Sequence, residues 1–143
     1  MELNDVQNII IDEFSAFDDW IDKYNYLIEL GKEVPVIDPK YKTRDFLIEG
    51  CQSKVWLYPE FNGKVINFSA DSDAIITRGI VSLLIKVLSG RTPGEIMKAD
   101  LYFIDKIGLR QNLSPTRSNG LLSMVKQMKL YAMAYDARTK KSN

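Results

Sequence analysis

The chain has 143 residues, 45% of them apolar and 27% charged, with nineteen lysines and arginines against nineteen aspartates and glutamates. That length suits a single domain over residues 1–143, which buries about 70% of its unfolded surface and needs no disulfide or metal to fold. A formally neutral chain lacks the basic field that phosphate backbones require, so nucleic acid is not an expected partner; one cysteine and no histidine exclude an internal disulfide and the usual zinc sites.

The N-terminus, "MELNDVQNII", is acidic where a signal peptide needs basic residues. Val6, Ile9, Ile10, Phe14 and Phe17 recur at helical spacing and predict a first helix from about Asn4 to Phe17. A second helix follows, with Ser15 and Asp18 as its start signal and Gly31 as its stop. Its core side would carry Tyr24, Leu27 and Ile28. "KEVPVIDPKYK" has two prolines and no period and is read as loop.

A block with β character comes next. "TRDFLI" (43–48), "SKVWLYPEF" (53–61) and "KVINFSA" (64–70) predict three antiparallel strands, the last two joined through Asn62-Gly63. In the second strand Val55 and Leu57 alternate with Trp56 and Tyr58, and either pair suits the core. "DSDAIITRGIVSLLIKVLSG" (71–90) predicts a central buried helix on the stripe Ile75, Ile76, Ile80, Leu83, Leu84, Val87 and Leu88. This stretch, the most apolar in the chain, is interrupted by Arg78 and Lys86 and is too short to span a bilayer. A cytoplasmic protein with no membrane partner is the expectation.

"TPGE" (92–95) is a capping box with proline at the first helical position. Short helices follow to about Gly108, and Ser114-Pro115 opens a long last helix with Leu121, Leu122, Val125, Met128 and Met133 as candidate core. The charged tail from Asp136 is expected to fray. The fold class is α+β, a small three-stranded antiparallel sheet packed with helices.

Cys51 is the one thiol, and it lies between the first two predicted strands. Free cysteine often serves as a small buried hydrophobe. Its neighbour Gly50 permits backbone shapes other residues avoid, which suits a reactive turn. With no histidine for a base, no second cysteine for a dithiol and no further thiolates for a cluster, the remaining chemistry is a thiol charged and discharged by other proteins. Sulfur relay fits.

Three segments, "GCQSKVWL" (50–57), "DSDAIITRGIVSLL" (71–84) and "LSPTRSNGLLSM" (113–124), together resemble the SufE family of sulfur acceptors, in order and spacing over roughly residues 9–134. The resemblance implies an IscU-like fold without cluster ligands, no cofactor of its own, and Cys51 as persulfide carrier. It implies a SufS-type, pyridoxal-phosphate cysteine desulfurase as donor and a downstream iron–sulfur scaffold such as the SufBCD complex as destination. A rival of another class is an adaptor that carries no sulfur, with Cys51 structural.

Around the thiol, Gly50, Gln52 and Ser53 are candidate loop residues. Asp71 and Asp73 read first as helix caps opposing the dipole, and by resemblance as carboxylates near the cysteine loop. Arg117 sits in the first turn of the last helix, where a cation is unfavourable, so it needs a partner: a plain salt bridge, or, in a functional role, Cys51, Asp71 or a partner surface; close to Cys51 it would lower the thiol pKa.

Overall fold

A computed structural model describes residues 1–142. The helices are α1 (Leu3–Ser15), α2 (Trp20–Gly31), α3 (Ile75–Leu88), α4 (Pro93–Lys98), α5 (Phe103–Lys106), α6 (Leu109–Asn112) and α7 (Pro115–Ser142); the strands are β1 (Val55–Phe61) and β2 (Ile66–Ser72). Mixed helix and sheet is as expected, but the sheet has two strands, not three.

The predicted strand "TRDFLI" curls instead into a 3₁₀ turn at Arg44–Phe46, and only Leu47 bridges to Trp56. Ile48 N donates to Val55 O on the outer edge of β1. Outward-facing groups recur every second residue, so the next positions on that edge are Leu57 and Pro59. Proline has no N–H to offer, so a third strand cannot extend along β1. Phe46 packs edge-on against Tyr58 at 5.0 Å and Tyr41 stacks on Tyr58 at 3.8 Å, covering the outer face where a strand was expected.

The other edge of the sheet is closed without a strand. Ala70 N donates to Pro35 O, Ile37 N to Ala70 O, Phe68 N to Ser89 Oγ and Ile66 N to Arg91 O. In β1 it is Val55 and Leu57 that face the core, while Trp56 and Tyr58 lie half-buried on the other face. The hairpin uses a longer turn than the dipeptide suggests: Asn62 Oδ1 accepts from Lys64 N and Val65 N, and Gly63 takes φ +93°.

All of α3 is buried except Ile75, Arg78 and Lys86. It packs on α2 through two glycines: a Cβ on Gly79 would lie 2.3 Å from Leu27 O, and one on Gly31 would lie 2.8 Å from Gly79 N. Gly31, read as a helix stop, is thus the last residue of α2 and a contact point. The cap of α2 is Asp19, whose side chain accepts from Asp22 N, so the helix starts later than the expected Ser15–Asp18 signal.

On α1 the core face is Leu3, Gln7, Ile10 and Phe14, and Ile9 is exposed. Buried Gln7 donates to Asp100 O and accepts from Phe103 N, tying α1 to the start of α5. On α7 Leu121 and Met128 are core as expected, joined by Met124 and Ala132, whereas Leu122 and Met133 are exposed. The tail expected to fray is helical from Asp136 to Ser142, and Asn143 lies outside the described residues.

Candidate functional site

Residues 49–53 form a short loop with both ends fastened. Ile48 N donates to Val55 O at one end. At the other, Lys54 N donates to Asp73 Oδ1 at 3.0 Å, while Lys54 O accepts from Asp73 N and from Ser72 Oγ. Neither aspartate caps α3: the N-cap is Ala74, which has no side-chain cap. Asp73 instead closes the open end of the hairpin and holds the base of the cysteine loop.

Asp71 faces elsewhere. Its carboxylate accepts from Lys42 Nζ at 2.8 Å, Arg78 Nε at 3.1 Å and Ser72 N at 2.8 Å. Lys42 Nζ also lies 4.7 Å from the Trp56 ring centroid, and Trp56 is the cross-strand partner of Asp71. Burial pushes the Asp71 carboxyl up, but the Lys42 and Ser72 hydrogen bonds and the charges of Lys42 and Arg78 outweigh it, holding it below the usual range. Asp71 does not line the space around Cys51.

Gly50 takes φ +87°, the left-handed region that favours glycine. A Cβ there would lie 2.5 Å from Ser123 Oγ. This turn lays Cys51 against α7, where its Sγ donates to Gly120 O at 3.6 Å. Gly120 lies directly against the sulfur: a Cβ on it would sit 3.5 Å from Sγ, an ordinary van der Waals contact. The thiol is half-buried, and that burial pushes its pKa up. A lowering by Arg117, the expected sign, is not what this arrangement produces.

A cavity of about 40 Å³ lies beside the sulfur, lined by Cys51, Gln52, Ser53, Thr77, Arg117 and Met124 among others. Arg117 makes no salt bridge among the described residues; its Nη1 is buried with no hydrogen-bond partner there. The bland alternative for this arginine is therefore absent from the structure. Gln52 is exposed and Ser53 half-buried at the rim, and neither side chain makes a hydrogen bond among the described residues.

The structure thus gathers Gly50, Cys51, Gln52, Ser53 and Arg117 at one place, ties Asp73 to it through Lys54, and sets Asp71 apart. Sequence reasoning missed Gly120, Ser123, Thr77 and Met124. Gly120 and Ser123 lie one turn apart in a segment already singled out, and a glycine within a helix was the signal that a backbone passes close. Among the described residues no group of three or more histidine, cysteine or acidic residues is placed to hold a metal ion. No helix of the described residues is long and apolar enough to cross a membrane.

Comparison with known proteins is consistent across the chain. The family described as "SufE: Fe-S metabolism associated domain" matches residues 8–132. An uncharacterized SufE-like protein of Rhizobium etli is 44% identical over 125 residues, covering 84% of each chain. Another from Rhizobium meliloti is 40% identical over 125 residues, covering 84% of this chain and 89% of that one. A protein of Arabidopsis thaliana named "SufE-like protein 1, chloroplastic/mitochondrial" is 40% identical over 117 residues, covering 81% of this chain but 32% of its own length. The solution structure of a hypothetical protein from Thermus thermophilus superposes with a TM-score of 0.76 at 16% identity, covering 92% of this chain and 96% of that one, a likeness of fold.

Proposed function

The chain belongs to the SufE family, associated with Fe–S metabolism, and on that premise we propose that it is a sulfur acceptor whose carrier is Cys51. The donor is a SufS-type cysteine desulfurase, whose turnover the chain stimulates, and the sulfur goes on to an iron–sulfur scaffold such as the SufBCD complex. The whole of residues 1–143 acts as one domain in the cytoplasm and holds no cofactor of its own.

The observation that carries this reading is the placement of Cys51, the sole thiol, on a loop pinned at both ends and turned inward at Gly50. A purely structural cysteine gains nothing from a glycine in a left-handed turn and an arginine beside a small cavity. In transfer, Cys51 gives its proton to a base of the donor enzyme, since this chain has no histidine. The thiolate attacks the terminal sulfur of the donor persulfide. One S–S bond forms at Cys51 as another breaks, the donor leaves as a thiolate, and nothing is oxidised or reduced overall. In the second half-reaction an acceptor thiolate removes the same sulfur in the same way.

Docked against α7, the thiol is protonated and poorly nucleophilic. The loop must therefore present it. Cys51 reaches at most about 10 Å from the fastened ends, at about 3.3–3.6 Å for each of the three residue-to-residue steps that separate it from Ile48 or Lys54. The donor sulfur has to come that close.

The test is intact-mass measurement after incubation with the desulfurase and cysteine. The expected result is addition of one sulfur to the wild-type chain and none to Cys51→Ser. If Cys51→Ser stimulates the desulfurase as well as wild type does, the adaptor reading replaces this one.

A further inference from the structure

Cys51 stands between two spaces. The inner one, against α7, holds about 40 Å³, and the outer one is a groove of about 430 Å³, so only the groove has room for the thiol to meet a second reactant. The charged groups on the groove's lining are Arg44, Glu49 and Lys54, two cations against one carboxylate. All three are exposed, and none of their side chains makes an ion pair or hydrogen bond among the described residues. Both cations stand on backbone that is fixed independently of the cysteine loop. Arg44 opens the 3₁₀ turn Arg44–Phe46, held by Phe46 against Tyr58 and by the bridge from Leu47 to Trp56. Lys54 lies past the loop, its N–H on Asp73 Oδ1 at 3.0 Å. The inner position has the opposite setting: Sγ–H meets the carbonyl oxygen of Gly120, and half-burial keeps the thiol protonated. The nearest other charged groups are Arg117, on the inner cavity, and Asp73, engaged by Lys54 N.

Resting on the carrier reading above, we infer that Arg44 and Lys54 are positioning residues that hold Cys51 as a thiolate once the loop swings from α7 into the outer groove. The chain has no histidine to take the proton. The proton passes to the donor's base or to water, and the S–H electron pair stays on Sγ. What the chain supplies is the field that favours the ion left behind, since an opposite charge within about 4–6 Å stabilises the charged form of a group. Glu49 works against the two cations, so the sign of the groove rests on two charges to one. The thiol is inert while docked and ionised where a partner reaches it. No sulfur–sulfur bond is made or broken in this step, and nothing is oxidised or reduced.

The test is the pH at which Cys51 of the free chain alkylates half-maximally with iodoacetamide, an uncharged reagent. Wild type is compared with Arg44→Gln, Lys54→Gln, the double variant, Glu49→Gln, and the charge-keeping Arg44→Lys and Lys54→Arg. The midpoint should rise in each cation variant, and by about one unit in the double variant. Alkylation at neutral pH should then slow about three- to tenfold, because a more basic thiolate is a better nucleophile and offsets part of the lost ionisation. The midpoint should fall in Glu49→Gln and stay close to wild type in the charge-keeping variants. Raising KCl from about 0.01 M to about 1 M shortens the screening length from about 30 Å to about 3 Å, and should raise the midpoint of wild type but not of the double variant. An unchanged midpoint in the double variant overturns the proposal. So does a midpoint that moves as far in the charge-keeping variants, or that rises in Glu49→Gln, because a mere change in loop docking does not follow the sign of charge. No desulfurase is present, so the result stands apart from the mass test of the carrier. Midpoints that move as described on a chain that no desulfurase charges keep the role of Arg44 and Lys54 and overturn the carrier role; a chain that is charged while its midpoints stay put does the reverse.

Discussion

Gly50 and Ser123 touch where the cysteine loop meets α7, so closely that one added carbon on Gly50 would come within 2.5 Å of the Ser123 hydroxyl oxygen. The contact decides how Cys51 is held. Ser123 can rotate its hydroxyl away, but the φ of +87° cannot be relieved without moving the loop. A residue with a Cβ in that region costs about 1–2 kcal/mol.

Gly50→Ala should therefore open the loop without unfolding the protein. Alkylation of Cys51 by iodoacetamide is expected to accelerate about 5- to 30-fold, the factor that corresponds to 1–2 kcal/mol. The melting temperature should barely move, because the loop is exposed at Gly50 and contributes little core. An unchanged alkylation rate would mean that the positive-φ turn does not hold the thiol inward.

A glycine pair elsewhere should behave in the opposite way. Gly79→Ala drives a carbon to 2.3 Å from Leu27 O, a backbone atom that cannot rotate aside, so α2 and α3 must separate. Overpacking of this kind costs about 1–3 kcal/mol. Chemical denaturation should show that loss. The ratio of Cys51 alkylation in the variant to that in wild type, measured well below the unfolding transition, should stay near one. A large change in that ratio would show that the α2–α3 contact governs the cysteine loop as well as stability.

These two glycines show what was and was not legible in the sequence. Gly50 was read as a residue free to take a backbone shape that others avoid, and its φ of +87° agrees. Gly31 was read as a helix stop, and α2 does end there; its second role, as a contact point on α3, depends on Gly79, 48 positions away, which no local pattern reveals. Strands β1 and β2, the capping box at Thr92 and the start of α7 at Pro115 were legible since each rests on neighbours in sequence. The third strand was not, because its absence depends on Pro59 of another segment and on Phe46 finding Tyr58. The same holds for the site: Cys51 and Arg117 stood out by chemistry, whereas Thr77, Gly120 and Ser123 matter only through what folds against them.

Asp71 carries a pH signature. Its folded pKa is lowered relative to the unfolded chain, so its contribution is fully present above the ordinary carboxylate value of about 3.9 and is lost as pH falls through the folded value. Asp71→Asn should be less stable than wild type by about 1 kcal/mol at neutral pH, a modest figure because Lys42 and Arg78 are partly exposed. The gap between the two proteins in urea should hold steady from pH 7 to about 5 and close below about 4. A gap that persists undiminished at low pH would assign the loss to packing around Trp56 rather than to the carboxylate charge.

Asp73 offers the sharpest test of how the loop is fastened. Its Oδ1 accepts from Lys54 N at 3.0 Å, and its own N–H donates to Lys54 O, so one residue closes both sides of the last rung before the cysteine loop. Asp73→Ala keeps the backbone bond and removes the side-chain acceptor. The lost hydrogen bond to a charged group costs about 1.5–3 kcal/mol when buried and less at this exposed position. Slack introduced at Lys54 lengthens the free loop by one residue and lets Cys51 leave Gly120 more often. Alkylation should accelerate several-fold with little change in melting temperature. Asp73→Asn retains an oxygen acceptor at the same place and should alkylate at close to the wild-type rate. If Asn accelerates alkylation as much as Ala does, the negative charge rather than the Lys54 hydrogen bond holds the loop. The fastening would then have to be sought in the field Asp73 exerts on the thiol.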